Sequence, residues 1–303
     1  MFTRKMVGSD LKRNWSLYLM VIPVLAFYLI FCYRPMYGAV IAFKDFSPGR
    51  GIWGSPWVGL EHFEAFLAGK DFTRILTNTL RISLSSILFG FPAPIILALL
   101  INETVSKRFA RAVQTVTYIP HFISLVVVCG MIKEFVSDTG FITSFMTYLG
   151  MARQNMLNEP NYFTSIYVAS GIWQEIGWGS IIYLAALAGV DTELYEAASI
   201  DGAGRLRQTW SVTLPSIMPT IITLFILRLG SVMNVGFEKI ILLYNPLSAD
   251  KAEVISSYVY NVGMVKAQYG FSTAVGLFNS AINCALVFGA NALSRKFNDT
   301  SLW

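Results

Sequence analysis

The chain has 303 residues, of which 54% are hydrophobic and 14% charged, with a formal net charge of +5. Soluble domains average roughly 45–50% apolar and about 25% charged residues, so the composition argues against a disordered chain and against an ordinary soluble enzyme. The scattered Lys and Arg lack the clustered basic face of a nucleic-acid binder, which leaves an all-α polytopic membrane protein.

A bilayer core takes about 20 mostly apolar residues as a helix. Six stretches qualify: 15–33, 75–101, 113–135, 163–190, 217–237 and 271–293. The first has a basic start and an apolar core, like a signal sequence. No small-x-small site follows it, and Phe31 before Cys32 is too bulky for a lipobox, so it reads as an uncleaved helix. The next loop, 35–73, carries Trp53, Trp57 and Gly59-Leu60-Glu61-His62-Phe63, which suits a short interfacial helix. Pro23, Pro92, Pro94 and Pro120 fall inside the apolar stretches. Such breakers are tolerated where neighbouring helices satisfy the freed backbone groups, which predicts one packed transmembrane domain over 1–303. No internal repeat is evident, so the inverted-repeat signature of many secondary transporters is missing.

Basic residues set the orientation. With the N-terminus inside, the inner segments hold Arg4, Lys5, Lys12, Arg13, Lys107, Arg108, Arg111, Arg205, Arg207, Arg295 and Lys296, a higher density than the outer segments carry. Both termini are therefore expected in the cytoplasm, as an even number of spans requires. Cys32, Cys129 and Cys284 lie in or beside apolar stretches without metal-ligand spacing, so neither a disulfide framework nor a metal site is expected.

The inner loop 191–215 is long for a helix connection, where about two to eight residues are usual. Asp191 can cap a helix with Glu193 in its first turn. Leu194, Ala197, Ala198 and Asp201 then share one side, and Gly202 sits where a left-handed residue would end the helix. A second helix can run from Arg205 to Val212, stopped by Leu214-Pro215. Small Ala197, Ala198 and Ala203 would admit close approach of another surface. On pattern alone the loop reads equally as a docking element or as an amphipathic segment lying on lipid.

The run Glu196-Ala197-Ala198-Ser199-Ile200-Asp201-Gly202-Ala203, continuing to Thr213-Leu214-Pro215, resembles the EAA signature of permease subunits of binding-protein-dependent type I ABC importers. That signature reads E-A-A-x-x-x-G and, further on, I-x-L-P; Val212 stands at the Ile position. Tyr118-Ile119-Pro120-His121-Phe122, the stretch from Ile172 to Gly179, Gly236-Phe237-Glu238, Asn245-Pro246 and Ser301-Leu302-Trp303 are similar to the LplB-type branch of sugar permeases. The resemblance implies a MetI-like fold of six spans in the cell membrane. It implies that the loop is a coupling helix inserted in a cytoplasmic ATPase subunit, with Glu196 anchoring it, Ala197 and Ala198 in close contact and Gly202 turning it. It further implies a second permease, in a heterodimer, an extracellular solute-binding lipoprotein, and an oligosaccharide substrate. The chain lacks G-x-x-x-x-G-K-[ST], and Gly69-Lys70 is followed by Asp71, so ATP and Mg are expected on the partner ATPase and no cofactor on this chain.

Charges within a bilayer need partners or a wet cavity. Glu175 and Arg228 lie about 12 and about 10 residues in from the outer ends of their spans, at similar depth by the rise of about 1.5 Å per residue. They are expected to approach each other or to line one cavity. Thr220, Thr223, Arg228, Ser231 and Asn234 form one polar stripe, and Ser272, Gly276, Asn279 and Asn283 another. Trp173 and Trp178 could stack on sugar faces, or these residues could simply pack helices. Arg81 reads similarly, or as a side chain that snorkels outward. No nucleophile–base motif is present, and His62 and His121 read as structural, so no catalytic residue is expected. An ion channel or secondary transporter, or an importer of another solute class, remains the alternative; neither a channel nor a secondary transporter explains the helix–glycine–helix loop.

Overall fold

The computed structural model describes residues 13–298. Arg4, Lys5 and Lys12, and the terminal Ser301-Leu302-Trp303, lie outside the described residues. Apart from single turns, the helices are α1 (Trp15–Phe43), α2 (Glu61–Leu67), α3 (Phe72–Asn102), α4 (Lys107–Phe122), α5 (Leu125–Phe135), α6 (Phe141–Tyr148), α7 (Pro160–Ala188), α8 (Thr192–Ile200), α9 (Arg205–Leu229), α10 (Phe237–Leu243), α11 (Ile255–Tyr260) and α12 (Tyr269–Asn298). Among the described residues, α1, α3, α9 and α12 are long and apolar enough to cross a membrane, and α4 with α5 adds a fifth crossing if that bent pair is one span. The remaining expected span is α7. It has 29 residues, about 44 Å at about 1.5 Å per residue, more than a bilayer core of about 30 Å. Gln174, Glu175 and its glycines and serines keep it less apolar than the others.

Three long helices share one device. A π-helical stretch at Tyr28–Tyr33, Ser86–Gly90 or Thr209–Thr213 lies just ahead of Pro35, Pro92 or Pro215. Proline removes a ladder donor and clashes with the carbonyl four residues back; the wider π turn absorbs both faults and lets the helix continue. This overturns the expected stop at Leu214-Pro215. The second loop helix runs unbroken into the fifth span, as α9.

Two expected spans are interrupted. The stretch 113–135 is two helices meeting at 102° rather than one. Around Pro120 the chain tightens into a 3-10 turn, Ile119–Phe122; Ile123 is extended, and Ser124 starts α5 by accepting from the Val127 amide at 3.4 Å. The stretch 217–237 is helical only to Leu229. Residues 230–236 are irregular, so Ser231 and Asn234 do not share a helical face with Arg228. Irregular backbone inside a bundle needs partners, and it has them: Asn283 Oδ1 accepts from the Met233 amide at 3.0 Å, and Ser256 Oγ donates to the Val235 carbonyl at 2.7 Å.

The described chain divides into two compact units, one comprising residues up to Leu67 with Val262–Leu277, the other Ala68–Asn261 with the chain from Phe278. In the first, α1 buries nothing along its most apolar stretch. The hairpin after it is tied by the Lys44–Trp57 bridge, by Lys44 Nζ donating to the Ile52 carbonyl at 2.7 Å, and by Phe43 stacked on Trp57. A helix, α2, does form at the expected Glu61–Phe63, and His62 Nε2 lies 3.1 Å from the Lys44 carbonyl. His62 is thus a structural residue. A Cβ on Gly270 would sit 2.6 Å from that same carbonyl oxygen, so the start of α12 abuts this turn.

In the second unit, Val128, Cys129 and Ile132 of α5, Phe163 and Ile166 of α7, and Ile240 and Leu243 of α10 form the main core. A polar clasp fixes one end of α3. Arg74 pairs with Asp71 and Glu253, each at 2.7 Å; Asn78 donates to the Asp250 and Glu253 carbonyls; Arg81 donates to the Lys251 carbonyl at 2.8 Å. Arg81 is therefore held in the bundle rather than snorkelling. Arg74→Met leaves the Glu253 carboxylate, only 16% exposed, without its cation, at a cost of about 1–3 kcal/mol. A melting temperature several degrees lower in detergent is the expected result; an unchanged one would show the clasp to be dispensable.

Candidate functional site

The helix α7 is the centre of the candidate path because its small residues let neighbours come close. A Cβ on Gly177 would lie 2.1 Å from the Thr117 carbonyl oxygen of α4, and one on Gly179 would lie 3.0 Å from Pro94 of α3. Beside this packed face opens a cavity of about 580 Å³, lined by residues of α3, α7 and α9 and by Gly236 and Lys239. Glu175, Trp178 and Arg228 all line it; Trp173 does not. Glu175 and Arg228 thus face one cavity, but they are not a pair. Glu175 Oε2 accepts from His121 Nδ1 at 2.9 Å, and the His121 ring stacks on Trp178 with centroids 4.4 Å apart and an interplanar angle of 2°. One face of Trp178 is therefore already covered by imidazole.

A smaller side pocket of about 270 Å³ adjoins it, with Ser86, Tyr167, Arg228 and Gly236 common to both linings. Ser231 and Asn234 line this pocket. Asn279 and Asn283 stand behind them, each donating to Asn234 Oδ1, at 2.9 and 3.1 Å. They hold the irregular 230–236 segment rather than forming wall themselves.

Two residues here escape sequence reasoning. His121 reads as structural in the sequence, yet the bend at Pro120 brings it against Glu175. Lys239 stands in the sequence just past the fifth span. It is 7% exposed, its Nζ donates to the Tyr167 carbonyl at 3.0 Å, and it sits 4.8 Å over the Tyr167 ring. Only the return of α10 into the bundle places it there; the one signal in the sequence is a lysine beside apolar Ile240, Ile241 and Leu242.

The loop between α7 and α9 is a rigid knob. Asp191 Oδ1 accepts from the Glu193 amide at 3.0 Å and starts α8. At its end the Gly202 amide donates to the Ser199 carbonyl and the Ala203 amide to the Ala198 carbonyl, with Gly202 at φ +76°. This is a Schellman turn, which satisfies carbonyls that a helix end otherwise leaves open. Gln208 Nε2 straps the two arms together, donating to Ser199 Oγ and the Ala203 carbonyl at 2.9 Å each, and the Tyr195 and Thr213 hydroxyls lie 3.1 Å apart. Glu196, Ala197, Asp201 and Gly202 are exposed, while Ala198 and Ala203 are half-buried. Ile200, Leu206 and Trp210 are also exposed, at 87%, 80% and 72%. Leu214 and Pro215 come directly after the π turn, where α9 becomes apolar.

Residues 90–299 match the family model described as binding-protein-dependent transport system inner membrane component. Protein LplB of Bacillus subtilis (strain 168) is 47% identical over 296 residues, 97% of this chain and 93% of that protein. The polygalacturonan/rhamnogalacturonan transport system permease protein YteP of the same organism is 43% identical over 301 residues, 99% of this chain and 94% of that one. Among solved structures, a chain of a bacterial ABC transporter involved in the import of the acidic polysaccharide alginate is 44% identical, with a TM-score of 0.89, covering 96% of this chain and 99% of its own. A chain of bacterial alginate ABC transporter in complex with alginate pentasaccharide-bound periplasmic protein is 43% identical, again with a TM-score of 0.89, covering 97% of this chain and 99% of its own.

Proposed function

Because this chain belongs to the family of inner membrane components of binding-protein-dependent transport systems, we propose that it forms half of the translocation path of an ATP-driven oligosaccharide importer and is driven through its 191–215 loop by a cytoplasmic ATPase. The observation that carries this reading is the strapped helix–glycine–helix knob, which presents Ile200, Leu206 and Trp210 to its surroundings at the head of a membrane helix. Exposed apolar side chains on a rigid, self-satisfied turn suit a protein partner.

The continuity of α9 supplies the transmission. One helix of 25 residues, about 38 Å at about 1.5 Å per residue, joins the knob at Arg205 to Leu224 and Arg228 in the cavity wall. A push on the knob by closing ATPase subunits would tilt this rod and reshape the wall at its far end. The π turn at Thr209–Thr213 is the compliant point.

In this reading Glu196 anchors the loop by charge-assisted hydrogen bonds, and ATP and Mg act on the partner ATPase, this chain holding neither nucleotide nor metal. A second, different permease covers the exposed side of the cavity, lipid or that partner covers α1, and an extracellular binding protein delivers the sugar. The denser Lys and Arg of the inner segments support a cytoplasmic location for both chain ends. Relatives named for polygalacturonan, rhamnogalacturonan and alginate support an oligosaccharide as substrate.

Proteoliposomes carrying the whole complex test the reading. Oligosaccharide presented with the binding protein is expected to accumulate only when ATP is inside. Equal accumulation without ATP, or uptake by this chain alone, would replace the importer with a self-contained transporter.

A further inference from the structure

Where α9 ends, the chain stays against α12. A Cβ on Gly230 would sit 2.5 Å from Val287 Cγ2. Three residues on, the Met233 amide donates to Asn283 Oδ1 at 3.0 Å, and Asn283 Nδ2 donates in turn to Asn234 Oδ1 at 3.1 Å. Asn279 Nδ2 donates to the same oxygen at 2.9 Å. Asn279, Asn283 and Val287 recur every four residues, so they form one stripe along about 12 Å of α12 at about 1.5 Å per residue. Residues 230–234 therefore run antiparallel along that stripe and are gripped at both ends. Stability alone does not explain the grip. Asn279 and Asn283 are 8% and 7% exposed, within an apolar span. The Asn279 Oδ1 is buried and has no hydrogen-bond partner among the described residues, an uncommon state that asks for an explanation. An apolar side chain there would avoid the unpaired oxygen, and small residues pack membrane helices closely without one. Asparagine adds direction instead: buried between helices, it fixes register at a cost in stability.

We infer that Asn234, Asn279 and Asn283 lock the far end of α9 to α12, so that the two move as one body when the knob is pushed. The inference rests on the importer reading and extends it: the displacement that enters at Arg205 passes into a second membrane helix through a clasp of three asparagines. Coupling between distant sites travels through such contiguous contacts. Ser231, Val232 and Asn234 line the side pocket, so the locked segment carries that wall with it. Without the lock, the irregular residues after Leu229 would absorb the displacement as a local bend. Asn279 and Asn283 are thus positioning residues, acting through the segment they hold.

The test uses the complete complex of this chain with its partner subunits, in proteoliposomes supplied with binding protein and oligosaccharide. Uptake and ATP hydrolysis are measured on the same vesicles. Asn283→Leu should keep hydrolysis within about twofold and lower uptake per ATP about tenfold, the equivalent of about 1.4 kcal/mol. Asn279→Leu removes one bond together with the unpaired oxygen. It should melt no lower than the native complex and still lower uptake per ATP, by a smaller factor. A clasp that serves only stability would instead lower the melting temperature and leave uptake per ATP unchanged. Gly230→Cys with Val287→Cys, in a chain whose Cys32 and Cys284 are replaced by alanine, tests the rigidity directly. The approach of Gly230 to Val287 brings the two Cβ atoms within disulfide reach, about 4 Å. Oxidation should leave uptake within about twofold of the reduced complex. In the Asn283→Leu background it should restore the lost uptake per ATP. The lock is overturned if oxidation halts uptake and reduction restores it, since the two elements must then move apart, or if both leucine variants keep native uptake per ATP. ATP-driven uptake by the native complex would in either case uphold the importer reading; its absence would remove both.

Discussion

Gly177→Ala is expected to prevent the protein from accumulating as a folded species in the membrane. The added Cβ would stand 2.1 Å from the Thr117 carbonyl oxygen, 2.3 Å from its carbon and 2.9 Å from its Cβ. The first two are backbone atoms of α4, so no rotamer change relieves them. Real Cβ atoms essentially never come within 3.0 Å of such neighbours, so α4 and α7 would have to part by about 1 Å in an interior packed at crystal-like density. Overpacking typically costs about 1–3 kcal/mol and occasionally more. A backbone obstacle belongs at the upper end, a large share of a stability of about 5–15 kcal/mol. The same separation would pull His121 away from Glu175 and open the cavity wall. Size-exclusion profiles of fluorescently tagged protein should show the folded peak largely lost for Gly177→Ala and retained for Gly130→Ala, whose Cβ would meet nothing within 4 Å. Retention of both peaks would mean that the two helices do not pack as described.

That close approach is not legible in the sequence, and the reason is general. Composition and long apolar runs locate membrane helices because lipid imposes one simple rule on backbone and side chains alike. By that rule the second and sixth spans fall within a few residues of α3 and α12. The rule says nothing about which glycine meets a carbonyl, or about how a proline is accommodated. Pro120 and Pro215 look alike as breakers, yet one marks a 102° bend and the other is carried through on a π turn. The difference lies in the residues beyond each proline: Ser124 can cap a new helix, whereas Leu214–Leu229 continues an apolar one.

The candidate site divides the same way. The knob is readable because its determinants are local: a capping Asp191, a helix of nine residues, and a glycine where the left-handed residue must fall. Its internal straps, Gln208 to Ser199 and Tyr195 to Thr213, depend on how the two arms fold back and carry no pattern of their own. In the cavity, Glu175 and Arg228 stand out because a charge in an apolar run is costly. Their surroundings do not. His121 reaches Glu175 across 54 residues of sequence, and Lys239 enters only through an irregular segment that the sequence presents as the end of a span. Isolated charges are thus informative about the cavity, while Ser231 and Asn234 join Arg228 in one pocket wall from an irregular segment rather than as a helical stripe, because the helix ends at Leu229.

Gly202→Val should uncouple the chain from its ATPase while leaving the permease folded. At φ +76° a glycine is nearly free of strain, whereas a β-branched residue is a true outlier there; left-handed backbone at a non-glycine residue costs about 1–3 kcal/mol. That is too little to unfold a membrane bundle, because α9 below the π turn is held by its own packing. It rivals the net worth of one or two of the hydrogen bonds that shape the knob, each about 0.5–1.5 kcal/mol, so the strain is released locally by opening the turn. Gly202→Asn separates conformation from contact, since Asn tolerates the left-handed region and a Cβ at this position meets nothing within 4 Å in the chain itself. In a mild-detergent pull-down, Gly202→Val should lose at least about tenfold of the bound ATPase, the equivalent of about 1.4 kcal/mol, and keep the second permease. If Gly202→Asn retains the ATPase, the turn's shape is what docking requires. If it loses the ATPase equally, the partner surface approaches Gly202 too closely for any side chain. Retention by both variants would show that the knob is not the coupling element, and the exposed Ile200, Leu206 and Trp210 would then need a different occupant.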